Sequence, residues 1–234
     1  MAACTGYGAM ASRIPCARAS WRSSEVPNVG VRAVPSRRLA TQCLCAASSL
    51  PDTHRVVITG AGVVSTAGND RGAFFDSLLG GASGVIDLTQ WKPGVFDDLP
   101  TRIGAPILHL DHGDDLTAKE ARRMDRVHQY AVVAGKRALR DAGLWGATLD
   151  GVDRTRCGVL VGSAMGGLQV LEDNVLNLKT KGIKKVSPFT VPYMLTNMSG
   201  AILGMQPELG FRGPNYAINT ACASSNYAII NAAM

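Results

Sequence analysis

Apolar positions in this chain change their period along its length, and those changes mark out elements. Residues 54–60 carry Val56, Val57 and Ile58 in a β-branched run closed by Gly60, which predicts a buried strand. Residues 70–79 predict a short helix with Phe74, Phe75, Leu78 and Leu79 inward, stopped by Gly80 and Gly81. Residues 82–116 are rich in Gly, Pro and Asp and predict a long surface excursion. The best-marked helix spans 117–142. Thr117 and Glu120 have capping-box spacing, Gly143 is a C-terminal stop, and Met124, Val127, Ala131, Ala134 and Ala138 place one face on the core. Residues 157–162 predict a core strand in which Cys157 is a packing residue. Leu168, Leu171, Val175 and Leu178 then mark a helix face running to Gly182. Residues 192–205 predict a small-residue helix with Pro192 near its start, and 215–219 a short buried strand. Strands alternating with helices predict an α/β fold with helices on both faces of a sheet.

Charge changes this picture only at one end. The formal net charge of +6 would suggest a nucleic-acid partner if it were spread over the fold. Residues 1–50 hold Arg13, Arg18, Arg22, Arg32, Arg37 and Arg38 with a single acid, Glu25, so that segment carries +5 and the remainder +1. An Arg- and Ser-rich, acid-poor leader without a continuous apolar run has the composition of an organelle transit peptide; the alternative is a tail with no address. The chain thus divides into a leader, 1–50, and a folded body, 54–234. No apolar stretch approaches the ~18 residues of a membrane span, so neither nucleic acid nor membrane is an expected partner.

Candidate chemistry concentrates near residue 222. Four of the six cysteines lie in the leader, and the remaining two, Cys157 and Cys222, make neither a disulfide framework nor a zinc set. No cofactor is expected. Residues 220–226 are all small or polar and are followed by a helical run, 227–233. A cysteine at such a strand-to-helix turn is open to a carbonyl, and a helix N-terminus there favours thiolate and offers backbone N–H donors to an oxyanion. On spacing alone the same cysteine also reads as an inert core residue. Gly60, Gly62 and Ser65 begin like a dinucleotide fingerprint but lack its third glycine, and residues 162–168 lack the Lys-Ser/Thr ending of a phosphate loop.

The run Gly213, Pro214, Asn215, Tyr216, Ala217, Ile218, Asn219, Thr220, Ala221, Cys222, Ala223, Ser224, Ser225, Asn226, Tyr227 resembles the nucleophile segment of the 3-oxoacyl-[acyl-carrier-protein] synthases, of the plastid type I/II branch. The likeness extends over about 54–234. It implies a thiolase-like layered αβαβα fold built from two similar halves. Only the N-terminal half is expected here, cut within the nucleophile helix, with its sheet incomplete and the chain by itself an inactive fragment. The implied reaction is a decarboxylative condensation in which Cys222 takes an acyl group and the acyl-enzyme then joins malonyl-carrier. The two histidines and the lysine that serve the second step belong to the other half, so His54, His109, His112 and His128 are expected at the surface or in loops.

By the same resemblance Met165, Thr190 and Leu195 line an acyl pocket, with Thr190 standing where relatives carry phenylalanine. The region 190–205 resembles a dimer-interface segment, implying a homodimer. Lys119, Arg122, Arg123, Lys184 and Lys185 correspond to docking positions for acidic acyl carrier protein, although such charges equally form a solvated face. A plastid stroma location follows from the resemblance. Three other readings are a non-catalytic partner that dimerises with a full-length synthase, a degradative thiolase and a general cysteine hydrolase.

Overall fold

A computed structural model describes residues 56–234, and Ile58–Met234 form one compact unit within it. The leader and His54 lie outside the described residues. The helices are α1 (Arg71–Leu79), α2 (Leu88–Trp91), α3 (Ala118–Arg123), α4 (Arg126–Asp141), α5 (Leu168–Lys181), α6 (Thr190–Met194), α7 (Met198–Gly204) and α8 (Ser224–Ala233). The strands are β1 (Ile86–Asp87), β2 (Ile103–Gly104), β3 (Val159–Gly162) and β4 (Asn215–Ile218). Strands β1 and β2 pair antiparallel, whereas β3 and β4 pair parallel, with Val159 opposite Asn215 and Gly162 opposite Ile218.

The two-residue period of β3 sorts the layers. Val159 and Val161 point to one face, where α7 presents Gly200 and Gly204. A methyl group at Gly200 would lie 3.4 Å from both valines. Gly162 points to the other face and meets the start of α8. Beyond α7 lies α4, with Gly135 opposite Leu203. The α/β expectation therefore holds, as a helix layer on each face of a small sheet. Leu116, Val132, Val133, Leu139, Leu149, Val159, Ile202, Leu203 and Leu209 make up the core.

Several elements differ from expectation. Residues 56–60 form no strand, and Val56, Val57 and Ile58 are exposed. A strand exists only by pairing with another, and none of the described strands runs beside this one. Gly60 and Gly62 instead lie directly on α4, where added methyls would fall 2.3 Å from the carbonyl oxygen of Ala138 and 1.9 Å from that of Ala134. The two glycines serve backbone contact with a helix, which is why they mimic a nucleotide motif without completing it. Helix α1 forms as expected, capped by Asp70, but Phe75, Leu78 and Leu79 are exposed and Phe74 only half-buried. The apolar face of α5 is similarly uncovered at Leu168, Val175 and Leu178. The excursion at 82–116 is mostly exposed but carries the β1–β2 ribbon and α2, and it ends in buried Asp115 and Leu116.

The helix expected over 117–142 is two. Thr117 and Glu120 form the reciprocal capping box of α3, with Thr117 N–H donating to Glu120 Oε2 at 2.9 Å and Glu120 N–H to Thr117 Oγ1 at 3.2 Å. The chain then extends through Met124, and Asp125 caps α4 by accepting from Val127 N–H at 3.1 Å. An N-cap aspartate competes with helix continuation, so a break fits there. Gly143, with φ +70°, ends α4 as expected. Its buried face comprises His128, Gln129, Val132, Val133, Gly135, Lys136, Ala138 and Leu139, so of the expected stripe Ala138 is buried while Met124, Val127, Ala131 and Ala134 are only half-buried.

Buried charge fastens the outer loops to α4. Asp115 accepts from Arg137 at 3.2 Å and from Arg140. Lys136, almost wholly buried, donates to the Asp115 carbonyl at 2.8 Å and pairs with Glu208 at 2.5 Å. Partial burial is the largest single influence on the Glu208 carboxyl and would raise it, but the Lys136 hydrogen bond, a backbone hydrogen bond and the Lys136 charge together outweigh it, and the group ends below its ordinary range. Each ion is thus paired, which is the condition for tolerating it inside.

The capping box yields a stability prediction. The Thr117 hydroxyl, and next its backbone N–H, hold the Glu120 carboxyl below its ordinary value. A depressed carboxylate stabilises the fold above its unfolded-state value, and that contribution is lost as pH falls through the folded value. Thr117→Ala should cost about 1 kcal/mol in urea denaturation near neutral pH. The gap from wild type should narrow as acid protonates Glu120.

Candidate active site

Cys222 lies in a 3₁₀ turn, Ala221–Ala223, between the end of β4 and the first residue of α8, and it is exposed. Ala221 adopts φ +48° and is alone among the described non-glycine residues in having a positive φ. A non-glycine residue in that region carries strain and persists only where its surroundings hold it. Here four hydrogen bonds do so. Ala223 N–H donates to the Thr220 carbonyl at 3.0 Å, and Thr220 N–H to Ser224 Oγ at 2.9 Å. Ser224 Oγ donates to the Ala221 carbonyl at 2.7 Å, and Ala221 N–H to Asn219 Oδ1 at 3.3 Å. The other end of the Asn219 amide donates to the Ala164 carbonyl at 2.7 Å.

Ala164 belongs to the turn after β3. Buried Ser163 accepts from Gly166 N–H at 3.3 Å, and Gly166 has φ +67°. Methyl groups at Gly166 and Gly167 would sit 2.2 Å from the Met194 carbonyl oxygen and 2.1 Å from that of Tyr193, so this turn lies flat against α6. Met165, 65% exposed, is thereby placed on a loop flanked by the Cys222 turn and by α6. Thr190 opens α6 half-buried and donates to the Ser187 carbonyl at 2.6 Å, while exposed Leu195 follows the helix. The helix expected over 192–205 is thus interrupted between α6 and α7, and it begins before Pro192. Cys222, Met165 and the α6 segment are brought to one end of β3–β4.

Both basic clusters are exposed. Lys119, Arg122 and Arg123 lie on α3, and Lys184 and Lys185 in the 3₁₀ turn Ile183–Lys185 after α5. Cys157 is buried just before β3, in agreement with its expected packing role. His128 is a correction, because it is fully buried on the first turn of α4. Its Nε2 is 2.7 Å from the Tyr193 carbonyl oxygen, which only accepts, so that nitrogen carries hydrogen; Nδ1, 2.9 Å from Ser199 Oγ, completes the set. Both ring nitrogens are committed to linking α4 with α6 and α7. His109 is exposed and His112 half-buried, with Nε2 2.9 Å from Gln129 Oε1.

Asp125 is a further residue that spacing alone did not single out. One carboxylate oxygen caps α4, while the other accepts from Val170 N–H at 3.1 Å in the first turn of α5, whose own N-cap, Gly167, has no side chain. Its cap of α4 was readable as an aspartate preceding a helical run, but its reach to α5 was not.

Residues 53–234 match the model of the beta-ketoacyl synthase N-terminal domain. The chain belongs to the beta-ketoacyl synthase family. Among the relatives, a chloroplastic 3-oxoacyl-[acyl-carrier-protein] synthase I of Arabidopsis thaliana is 45% identical over 179 residues, covering 76% of this chain and 37% of its own length. The synthase I of Hordeum vulgare, also chloroplastic, is 44% identical over 210 residues, covering 86% of this chain and 44% of its own. The chain therefore spans about two fifths of these relatives' length. In solved structures it is similar to a beta-ketoacyl synthase from Burkholderia phymatum, with TM-score 0.61, 27% identity, and coverage of 76% of this chain and 42% of that one. The thiolase-like fold of that family agrees with the helix–sheet–helix layering, present here with small, incomplete sheets. The earlier thiolase and hydrolase readings yield to this family.

His128 offers a direct check on how α6 is held. His128→Ala would leave the Tyr193 carbonyl and Ser199 without their partner and open a void, at a cost of about 3 kcal/mol. A lowered urea midpoint with an unchanged m-value is the expected result.

Proposed function

We propose that this chain is part of a 3-oxoacyl-[acyl-carrier-protein] synthase of fatty-acid biosynthesis and that Cys222 is its acyl-accepting nucleophile. The observation that carries this reading is the strained, hydrogen-bonded turn that presents an exposed Cys222 at the N-terminal side of α8. The thiolate of Cys222 attacks the thioester carbonyl of acyl-carrier protein and a new carbon–sulfur bond forms. The bond to the carrier's sulfur breaks, and the carrier leaves as a thiol after taking a proton. Backbone N–H groups at the start of α8 favour the developing oxyanion. In the second step malonyl-carrier loses carbon dioxide. The electron pair of the broken carbon–carbon bond forms the new one to the acyl carbonyl, and the Cys222 thiolate departs. His128, engaged at both nitrogens, takes no part.

Met165, Thr190 and Leu195 are proposed to border the acyl chain, which the contact of the glycine turn with α6 supports. The exposure of Phe189, Val191 and Leu195 supports a homodimer formed through the 190–205 region. Exposed Lys119, Arg122, Arg123, Lys184 and Lys185 would speed the encounter with an acidic carrier protein. The names of the plant relatives support a plastid location.

Radiolabelled acyl-carrier protein tests the first step. Label should appear on the Cys222 peptide, be released by hydroxylamine as a thioester, and disappear in Cys222→Ala. Equal labelling of that variant would overturn the reading.

A further inference from the structure

We propose that Ser224 and Asn219 are positioning residues that clamp the Cys222 turn, Ser224 to the sheet beneath and Asn219 to the pocket-wall loop beside it. Calling what they position a nucleophile rests on the function proposed above, although the clamp itself rests on geometry. Ser224 is 4% exposed. Its hydroxyl accepts from Thr220 N–H and donates to the Ala221 carbonyl, so both hydrogen-bonding functions of one oxygen are spent on the two residues preceding the cysteine. The backbone of Ser224 is itself seated on β3, since a methyl at Gly162 would come within 2.6 Å of its carbonyl carbon. The hydroxyl thereby connects a fixed point of the sheet to the peptide unit that holds Ala221 at positive φ. Without it, only the Ala223 N–H bond to Thr220 and the longer Ala221 N–H bond to Asn219 oppose relaxation of Ala221 toward an ordinary conformation, which would turn the cysteine away from the start of α8.

Asn219 acts sideways. Its Oδ1 accepts from Ala221 N–H and its Nδ2 donates to the Ala164 carbonyl, one residue before Met165. One amide thus couples the cysteine turn to the loop that carries the pocket-wall methionine. Neither side chain needs to touch a substrate to do this. Their effect passes through the orientation of Cys222, which is already exposed, so loosening the turn cannot raise reactivity by uncovering the sulfur.

Iodoacetamide alkylation of the whole chain, resolved by peptide mapping and followed against pH, tests the clamp without any condensation assay. Ser224→Ala should lower the plateau rate at Cys222 at least roughly fivefold, the scale of one of the two hydrogen bonds it removes. Asn219→Ala should lower it by about half that factor, because its bonds are longer or more exposed. Ser224→Thr, which keeps the hydroxyl, should restore at least half of the wild-type rate. Buried Cys157 is the internal reference and should stay unreactive in every variant. Wild-type rates at Cys222 in both alanine variants would overturn the proposal. So would a loss at Cys222 accompanied by new reactivity at Cys157, which would mean general loosening. Absence of acyl transfer with normal alkylation behaviour would instead overturn the function and leave the clamp standing.

Discussion

One backbone contact governs the rest of this structure: the start of α8 rests directly on Gly162 at the end of β3. Any side chain there would enter the space of the Ser224 carbonyl carbon, 2.6 Å from where its first atom would stand. Dense packing leaves no slack for such an intrusion. Because helix and strand meet without a spacer, the turn between β4 and α8 has only a few residues in which to reverse, and it does so with Ala221 at positive φ. The exposure of Cys222 and its place before the helix are consequences of that seating.

Hydrogen bonds carry the constraint outward. Asn219 passes it to Ala164, the glycine turn passes it to α6, and His128 passes it from α6 and α7 to α4. Asp125, spanning the first turns of α4 and α5, closes the circuit. Asp125 and His128 are buried, and buried polar groups are costly unless their donors and acceptors are matched; here the partners are backbone groups and the Ser199 hydroxyl, at points where elements change direction. The charged set of Asp115, Lys136, Arg137, Arg140 and Glu208 holds the C-terminal half of α4 by pairing charges.

Local chemistry was legible in the amino-acid order and long-range partnership was not. The capping box at Thr117 and the stop at Gly143 are fixed by residues within a few positions of one another, whereas the strand ending at Gly162 and the turn at Cys222 were legible from local pattern but are completed by partners distant in the chain. The break at Asp125 was missed because the apolar period ran through it, although an N-cap aspartate outweighs period at a single position. Val56, Val57 and Ile58 look like a strand because β propensity describes a residue's fitness for a sheet, whereas a strand needs a neighbour. His128 looked like a surface residue because its polar partners, Tyr193 and Ser199, lie 65 and 71 residues away. The apolar faces of α1 and α5 follow their helical period faithfully yet stay exposed among the described residues, since period shows that a face is apolar without showing what covers it.

The dependence of the cysteine turn on strand contact is best tested by amide hydrogen exchange in Gly162→Ala. Protection should fall across residues 219–233 while α4 and α7 keep theirs, because the inserted methyl displaces only the element on its own face of the sheet. Wild-type protection throughout α8 in a folded variant would contradict the account.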